Sequence, residues 1–599
     1  MNLETLSIDD LLLKRKSLRR QLSAVEGLHP LRIAVLGGTT TNEVVDLLEI
    51  HLLAAGFKPV FHQSEYGRFY EDAVLDPADL IAFAPDIVYV HTSVLNVQQT
   101  PPVNASPEDL QTYIDAEVSR YKAIWQSIEQ NLPAQIIQNN FELPAAAILG
   151  NMDAVHSGGA TRFFLALNEA FARAAEADPR LILQDIMSLS ARLGLNQWFD
   201  WDRYWGYKIL TTVEASVAIA RSLTSIIKSI YGRSKKVLVL DLDNTLWGGV
   251  IGDDGVDKIL IGRETPVAEA YTAFQEYCLS LQRRGVLLAV CSKNNDDVAR
   301  SGFEHPDSIL KITDFSAFKA NWEPKHENIL AIAKELNLGV DSFVFVDDNP
   351  AERSIVESQI STIAVPNVGK DVSKYAGIIE AGRYFEPISM SKEDLARASL
   401  YADNSARASL EAKFANYGEY LDSLEMTAEI ARFRPVYIER IAQLTNKTNQ
   451  FNLTTRRYTL AEMEAISHDP GYIGFYGKLS DKFGDNGLIS IVLGRREADK
   501  LYLDLWLMSC RVLKRDMEIA MLDTLVAAAK AEGIKTLIGT YLPTKKNGMV
   551  ADHYEKLGFT PVPVEPGTDG TVWSLDVTTY EPRNTHIKVT DSELVGAAA

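Results

Sequence analysis

The chain has 599 residues, 46% of them hydrophobic and 23% charged, with a net charge of −20 and a pI near 5.1. Those values suit about three globular domains with real cores, and they exclude non-specific binding to nucleic acid or to an anionic membrane surface. No apolar run is long enough to span a bilayer, Met1–Leu22 lacks the apolar core of a signal peptide, and three cysteines (Cys278, Cys291, Cys510) make no disulfide framework, so a cytoplasmic setting is expected.

Residues 1–30 read as an amphipathic helix and connector. A strand is predicted at Leu31-Arg32-Ile33-Ala34-Val35-Leu36, followed by the turn Gly37-Gly38-Thr39-Thr40-Thr41 and a helix from about Asn42 to Ala55. Strands at Pro59-Val60-Phe61, Asp86-Ile87-Val88-Tyr89-Val90 and Gln135-Ile136-Ile137, with a helix over about 107–130, continue the alternation. That pattern predicts a parallel α/β domain over 31–225. The glycine turn has no Gly-Lys-Ser/Thr and no GxGxxG, so it is not a phosphate loop.

The next segment carries the chemistry. The apolar run Val237-Leu238-Val239-Leu240 predicts a buried parallel strand, and Asp241-Leu242-Asp243-Asn244-Thr245 leaves its carboxyl end. A second run, Val286 to Cys291, ends at Ser292-Lys293-Asn294, and a third, Phe343-Val344-Phe345-Val346, ends at Asp347-Asp348-Asn349-Pro350. Between them Lys325 follows Pro324 at the start of a helix running to about Leu336. Paired carboxylates at a strand end can share a divalent cation, and a carboxylate can attack phosphorus. Position 241 is 51 residues from 292, and 292 is 33 from 325. Neither gap holds an independent domain of about 50 residues once the connecting helix is counted, so the site is expected to lack a large cap. The domain is placed at 232–390.

A polar, helix-prone connector occupies 391–425. A last domain is read at 426–582, from a strand at Leu501–Met508, a helix over Met517–Glu532, a strand at Thr536–Thr540 and the helix end Tyr554-Glu555-Lys556-Leu557-Gly558-Phe559. Residues 583–599 read as a disordered tail.

These patterns resemble known families. The order DxDxT, Ser, Lys, Asp-Asp resembles the haloacid dehalogenase-like (HAD) phosphotransferases. The resemblance implies Asp241 as nucleophile and Asp243 as general acid/base. It implies Ser292, Lys293, Asn294 and Lys325 as phosphate-binding residues. Mg²⁺ would be held by Asp241, Asp347, Asp348 and the carbonyl of Asp243. The front domain is similar to flavodoxin-like esterases of the SGNH kind. Thr39–Thr41 stand where those have serine, Gly150-Asn151 matches only part of the pattern, and no histidine occurs near Asp200-Trp201-Asp202-Arg203-Tyr204. A binding or lidding role and a purely structural one stay open. The last domain resembles the GNAT acyltransferase fold, whose pyrophosphate loop reads Arg/Gln-x-x-Gly-x-Gly/Ala. Here Arg511-Val512-Leu513-Lys514-Arg515-Asp516 replaces both glycines.

Longer stretches are similar to the FkbH-like branch (subfamily IIIC) of the HAD superfamily: Lys235–Gly252, Ser292–Asn294, Ala320–Trp322, Phe345–Arg353, Asn446–Asn452 and Met508–Leu513. That resemblance spans all three domains. It implies a glyceryltransferase/phosphatase that takes 1,3-bisphosphoglycerate, moves the glyceryl group onto a thiol, removes phosphate and loads an acyl carrier protein for polyketide or related biosynthesis. Cys510, Cys291 and direct transfer to the carrier thiol are the candidate routes. Cys278 reads as core. Basic or polar residues for the carrier or acyl site are Asn449, Arg456, Arg511, Lys514 and Arg515, with Lys447, Arg457, Lys545 and Lys546. A plain phosphatase and a non-catalytic carrier-binding scaffold are the alternatives.

Overall fold

Leu31, Ile33, Ala34, Val35 and Leu36 are almost fully buried in the computed structural model, which describes residues 3, 6–411, 413–544, 546–563 and 570–590. A strand apolar on both faces needs cover on both, and parallel sheets supply it through their crossover helices. The chain forms two compact units, Met1–Ile230 with Tyr458–Ala465, and Tyr231–Arg457 with Ile466–Ala599. In the first unit the strands are β1 (His29–Gly37), β2 (Phe57–Gln63), β3 (Ile87–His91), β4 (Gln135–Asn139) and β5 (Leu181–Gln184). They are all parallel, in the order β2-β1-β3-β4-β5, the flavodoxin-like order expected. The Pro107–Asn131 helix starts at a Ser106/Asp109 capping box with proline at its first position. Its Tyr121 and Trp125 meet Phe171 in edge-to-face contacts at 5.0 and 5.2 Å. The unit runs to the end of the Val213–Ile230 helix, past the expected limit at 225.

The second unit contains two sheets. The smaller joins β6 (Val237–Leu240), β7 (Leu287–Ser292), β8 (Phe315–Ala320) and β9 (Phe343–Val346), all parallel, in the order β8-β7-β6-β9. Between β6 and β7 lie short turns and one long helix, Pro266–Arg283, and no inserted domain. The larger sheet contains β10 (Met426–Arg432), β11 (Tyr472–Asp481), β12 (Gly484–Glu497), β13 (Lys500–Met508), β14 (Thr536–Tyr541), β15 (Thr560–Val562), β16 (Thr571–Asp576) and β17 (Ile587–Thr590). Its order is β15-β16-β14-β13-β12-β11-β10-β17. Multi-domain α/β architecture is therefore observed as expected. The tail is not wholly disordered. Ile587-Lys588-Val589-Thr590 pairs with Met426–Glu429, because an alternating β-branched segment can complete the open edge of β10. Residues 591–599 lie outside the described residues.

β13 and β14 pair in parallel only from Lys500↔Thr536 to Leu503↔Gly539, although both strands continue. Beyond that point they splay, and the extended segment Phe451–Thr454 lies between them. Leu453 N donates to Trp506 O at 3.1 Å, Met508 N to Phe451 O at 3.0 Å, and Leu542 N to Leu453 O at 2.9 Å. Asn547 Nδ2 donates to Asn452 O at 2.9 Å from within the core. The chain thus satisfies the polar groups of its own diverging strands, as buried backbone requires.

Candidate functional site

The carboxyl ends of β6, β7 and β9 and the start of the Lys325–Glu335 helix meet at one place. β6 is fully buried, and Asp241 N still donates to Val346 O at 3.0 Å. Asn244 then turns the chain through a left-handed conformation, φ 55°, which asparagine tolerates better than most residues. Its Oδ1 accepts from Gly249 N at 3.0 Å. This turn sends Asp241 and Asp243 to one edge but into different surroundings.

The Asp243 carboxylate is locked. Oδ1 accepts from Trp247 Nε1 at 2.9 Å and Ile251 N at 3.0 Å, and Oδ2 from Asn294 Nδ2 at 3.2 Å. Burial pushes its pKa above the usual carboxylate range against these hydrogen bonds, and the charge of Asp241 pushes the same way. Asp241, Asp347 and Asp348 bring one carboxylate oxygen each within 4.8 Å of one another. Lys325 Nζ lies 3.0 Å from Asp241 Oδ1 and also donates to Asp347 Oδ2. Burial pushes Asp347 up to about 6, with Asp241 adding repulsion. Asp348 is raised for the same two reasons. Burial opposes the Lys325 ammonium, yet Asp241 and Asp347 hold its pKa above the usual range.

The turn after β9 is held from behind. Arg353 Nη1 donates to Asp347 O at 2.7 Å and Asp348 O at 2.8 Å, and Nη2 donates to Asn367 Oδ1 at 2.9 Å. Asp348 N donates to Thr245 Oγ1 at 3.2 Å. One lysine faces three carboxylates, and buried Asp241 Oδ1 has that charge contact but no hydrogen bond. Hard oxygens in this number fit a divalent cation such as Mg²⁺. Asp241, Asp347 and Asp348 would hold it by side chain. Asp243, its carboxylate already engaged, is left its carbonyl. An open cavity of about 440 Å³ fronts the cluster, lined by Asp241, Asp243, Ser292, Lys293, Lys325 and Asp348 and closed further by Asn349, Glu352 and Lys370.

Of the residues expected from sequence, Asp241, Asp243, Ser292, Lys293, Asn294, Lys325, Asp347 and Asp348 converge at this edge. Glu352, Arg353 and Lys370 were not singled out. Arg353 lies four residues beyond Asn349, one helical turn into the Pro350–Gln359 helix, a spacing that lets a long side chain reach back to the Asp-Asp carbonyls.

The cysteines stand elsewhere. Cys291 is fully buried, with its Sγ 3.5 Å from Lys325 O, and burial pushes its thiol well above the usual range. Alternation along β7 turns it away from the face that Ser292 serves. Cys278 is a core residue. Cys510 Sγ lies 3.9 Å from Tyr401 Oη, and its carbonyl accepts from Asn337 Nδ2 at 3.2 Å. Its thiol interacts with Lys236, which immediately precedes β6. Asp241 follows the other end of that strand, roughly 16 Å away for five extended residues.

The C-terminal candidates are mostly structural in placement. Arg515 is buried against Asp481 at 3.0 Å and Asn404 at 2.9 Å, beside the Arg407–Asp481 pair at 2.8 Å. Burial depresses its pKa to about 10. Lys514 and Asp516 keep left-handed backbone, φ 63° and 58°, where the resembling fold has glycine. The first turn of the following helix holds Glu518, one carboxylate oxygen of which is buried without a hydrogen bond. Acids at a helix N-terminus repel a pyrophosphate. Asn449 accepts from Arg457, Lys447 pairs with Asp394 at 3.0 Å, Lys546 pairs with Asp341, and exposed Arg456 pairs with Asp504 at 3.1 Å. Lys514 is exposed. Lys545 and the Arg511 side chain lie outside the described residues.

Among solved structures, the chain is similar to the N-terminal part of the protein BF1531 from Bacteroides fragilis, described as containing a phosphatase domain complexed with Mg. Identity is 31%, the TM-score is 0.58, and the match covers 63% of this chain and 99% of that one. The ribosomal-protein-S18-alanine N-acetyltransferase from Escherichia coli matches at 14% identity and TM-score 0.20, covering 26% of this chain and 99% of that one. An aminoglycoside 6'-N-acetyltransferase complexed with coenzyme A matches at 17% and 0.21, covering 26% and 99%. No family model and no curated protein matches the chain.

Proposed function

We propose that this chain, which belongs to the same family as the phosphatase-domain protein BF1531, is a Mg²⁺-dependent phosphatase whose nucleophile is Asp241. The observation that carries this reading is the convergence of Asp241, Asp347 and Asp348 around Lys325 at the mouth of an open cavity. Bound there, Mg²⁺ would neutralise charge on the cluster and on a phosphoryl group. The Asp241 carboxylate attacks phosphorus, and the bond from phosphorus to the leaving oxygen breaks. Asp243, whose pKa burial raises above the usual carboxylate range, gives that oxygen its proton. The Asp243 carboxylate then takes a proton from water as the water oxygen attacks phosphorus, and the bond to Asp241 breaks to release phosphate. Ser292 and Lys325 hold the phosphoryl oxygens meanwhile.

The finer proposal is that the phosphate belongs to an acyl donor of the 1,3-bisphosphoglycerate type, whose glyceryl group is loaded onto the phosphopantetheine thiol of an acyl carrier protein. The thiolate would attack the acyl carbon, expelling phosphate, and Asp241 would remove the remaining phosphate ester. Similarity to the FkbH-like branch supports this route. The placement of the cysteines favours direct attack by the carrier thiol over relay through Cys510 or Cys291. It equally suits a plain phosphatase on a small phosphoester. Release of inorganic phosphate from a panel of phosphoesters, with and without chelator, tests the first proposal. Full turnover in chelator or in Asp241→Asn would sink it. Mass spectrometry of carrier proteins incubated with enzyme, Mg²⁺ and 1,3-bisphosphoglycerate tests the second. Phosphate release with no mass gain on any carrier leaves the plain phosphatase.

A further inference from the structure

Three ammonium groups line the cavity, and two are already committed. Lys325 is almost fully buried between Asp241 and Asp347. Lys293 is tied to Glu352 at 2.6 Å. Lys370 is exposed, lines the same cavity, and has no ion pair or hydrogen bond among the described residues. Its neighbour Asp371 does not neutralise it, because that carboxylate caps Ser373 N at 3.2 Å and pairs with Lys374 at 3.1 Å. Nor is Lys370 remote from the chemistry. Asn367, three residues earlier, is gripped by the same Arg353 guanidinium that holds the carbonyls of Asp347 and Asp348. The loop bearing Lys370 is thereby anchored to the carboxylate cluster.

A volume of about 440 Å³ falls in the range of small-molecule sites and exceeds what a phosphoryl group alone fills. Ser292 and Lys325 already serve that group. We propose that Lys370 binds a second anionic group of the substrate, so that the site takes a small phosphorylated compound carrying negative charge beyond the scissile phosphate. This rests on the phosphatase role of Asp241 and narrows the substrate class. The second anion is a carboxylate or another phosphate, since an ammonium reads charge rather than shape.

The test uses the full chain at fixed free Mg²⁺, as wild type, Lys370→Met and Lys370→Arg. kcat/KM is measured on p-nitrophenyl phosphate, which has no second anion, on 3-phosphoglycerate, which has a carboxylate, and on propane-1,3-diol bisphosphate, which has a second phosphate and no carboxylate. In wild type the two-anion compounds are favoured. Lys370→Met lowers that preference about two- to fivefold, through KM, as for an exposed charge pair, and Lys370→Arg keeps it. Raising ionic strength to about 0.5 M shrinks the wild-type preference and leaves the Met variant's ratio flat. A fall on both two-anion compounds, or on the bisphosphate alone, supports the assignment and says which anion is read. An unchanged ratio in Lys370→Met overturns it. Absence of phosphate release from every compound in wild type overturns the phosphatase reading instead.

Discussion

The two sheets of the second unit treat their gaps in opposite ways. At the carboxyl edge of β6–β9, three carboxylates share one lysine beside an open cavity. Where β13 and β14 splay, the chain fills the space itself with Phe451–Thr454, whose main chain takes up the hydrogen bonds of both strands. Uncompensated charge at an open edge is what a ligand site needs, and it is unfavourable otherwise. A gap closed by main-chain hydrogen bonds is what a scaffold needs. The first region's unbalanced charge therefore says more about chemistry than the second region's self-filled sheet.

The comparison breaks most readily at Asp241. If Asp241 is the nucleophile as proposed, Asp241→Asn should lower phosphate release on the order of a thousandfold or more, because no other described group takes its place. Steady-state kinetics on any accepted phosphoester checks this. Asp243→Asn should cost about 10²–10⁴-fold. The sign of its pH effect follows from burial. A raised pKa keeps Asp243 protonated above the usual carboxylate range, so wild-type activity falls as pH climbs through that raised value. The alkaline limb should vanish from the pH profile of the variant, and its persistence would assign that limb elsewhere.

On the scaffold side, Asn547→Ala should destabilise the protein by about 2 kcal/mol, since it strands the buried carbonyl of Asn452 and the half-buried one of Leu542. Chemical denaturation reads the loss, and hydrogen exchange should speed at Leu453 and Leu542. The smallest effect is expected at Lys514 and Asp516. Glycine at either position relieves left-handed strain but adds freedom to the unfolded chain, a net gain of about 0.5 kcal/mol. Coenzyme A should leave the melting temperature of that double variant unchanged. A clear rise would mean that Lys514 and Asp516 alone had closed an acyl-CoA site, and that Glu518 does not bar one.

Much of the carboxylate site was legible because its parts are local. Apolar runs ending in Asp241, Ser292 and Asp347 announce strand ends, and Pro324 announces the helix that presents Lys325. The long hairpin β11–β12 was not legible. Gly474 and Gly477 interrupt its pattern, and a Cβ at Gly477 would displace the side-chain ends of Met517 and Met521 on the helix behind. Such a requirement is set by a helix some 40 residues later. β17 was hidden for a similar reason, since an edge strand exists only through its partner β10.

By itself the order of residues determined that three buried strands would end in carboxylates and a serine, with a lysine at a helix start between the second and third, because period and punctuation act over a few residues. Tertiary structure alone decided which oxygens meet, that Asp243 is held by Trp247, Ile251 and Asn294, and that Cys291 faces the core. It alone showed Cys510 beside Tyr401 and Asn337, the splay filled from within, and Lys370 left without an ion pair among the described residues. Those outcomes depend on contacts between segments distant in sequence, where burial and charge balance are set by the whole fold.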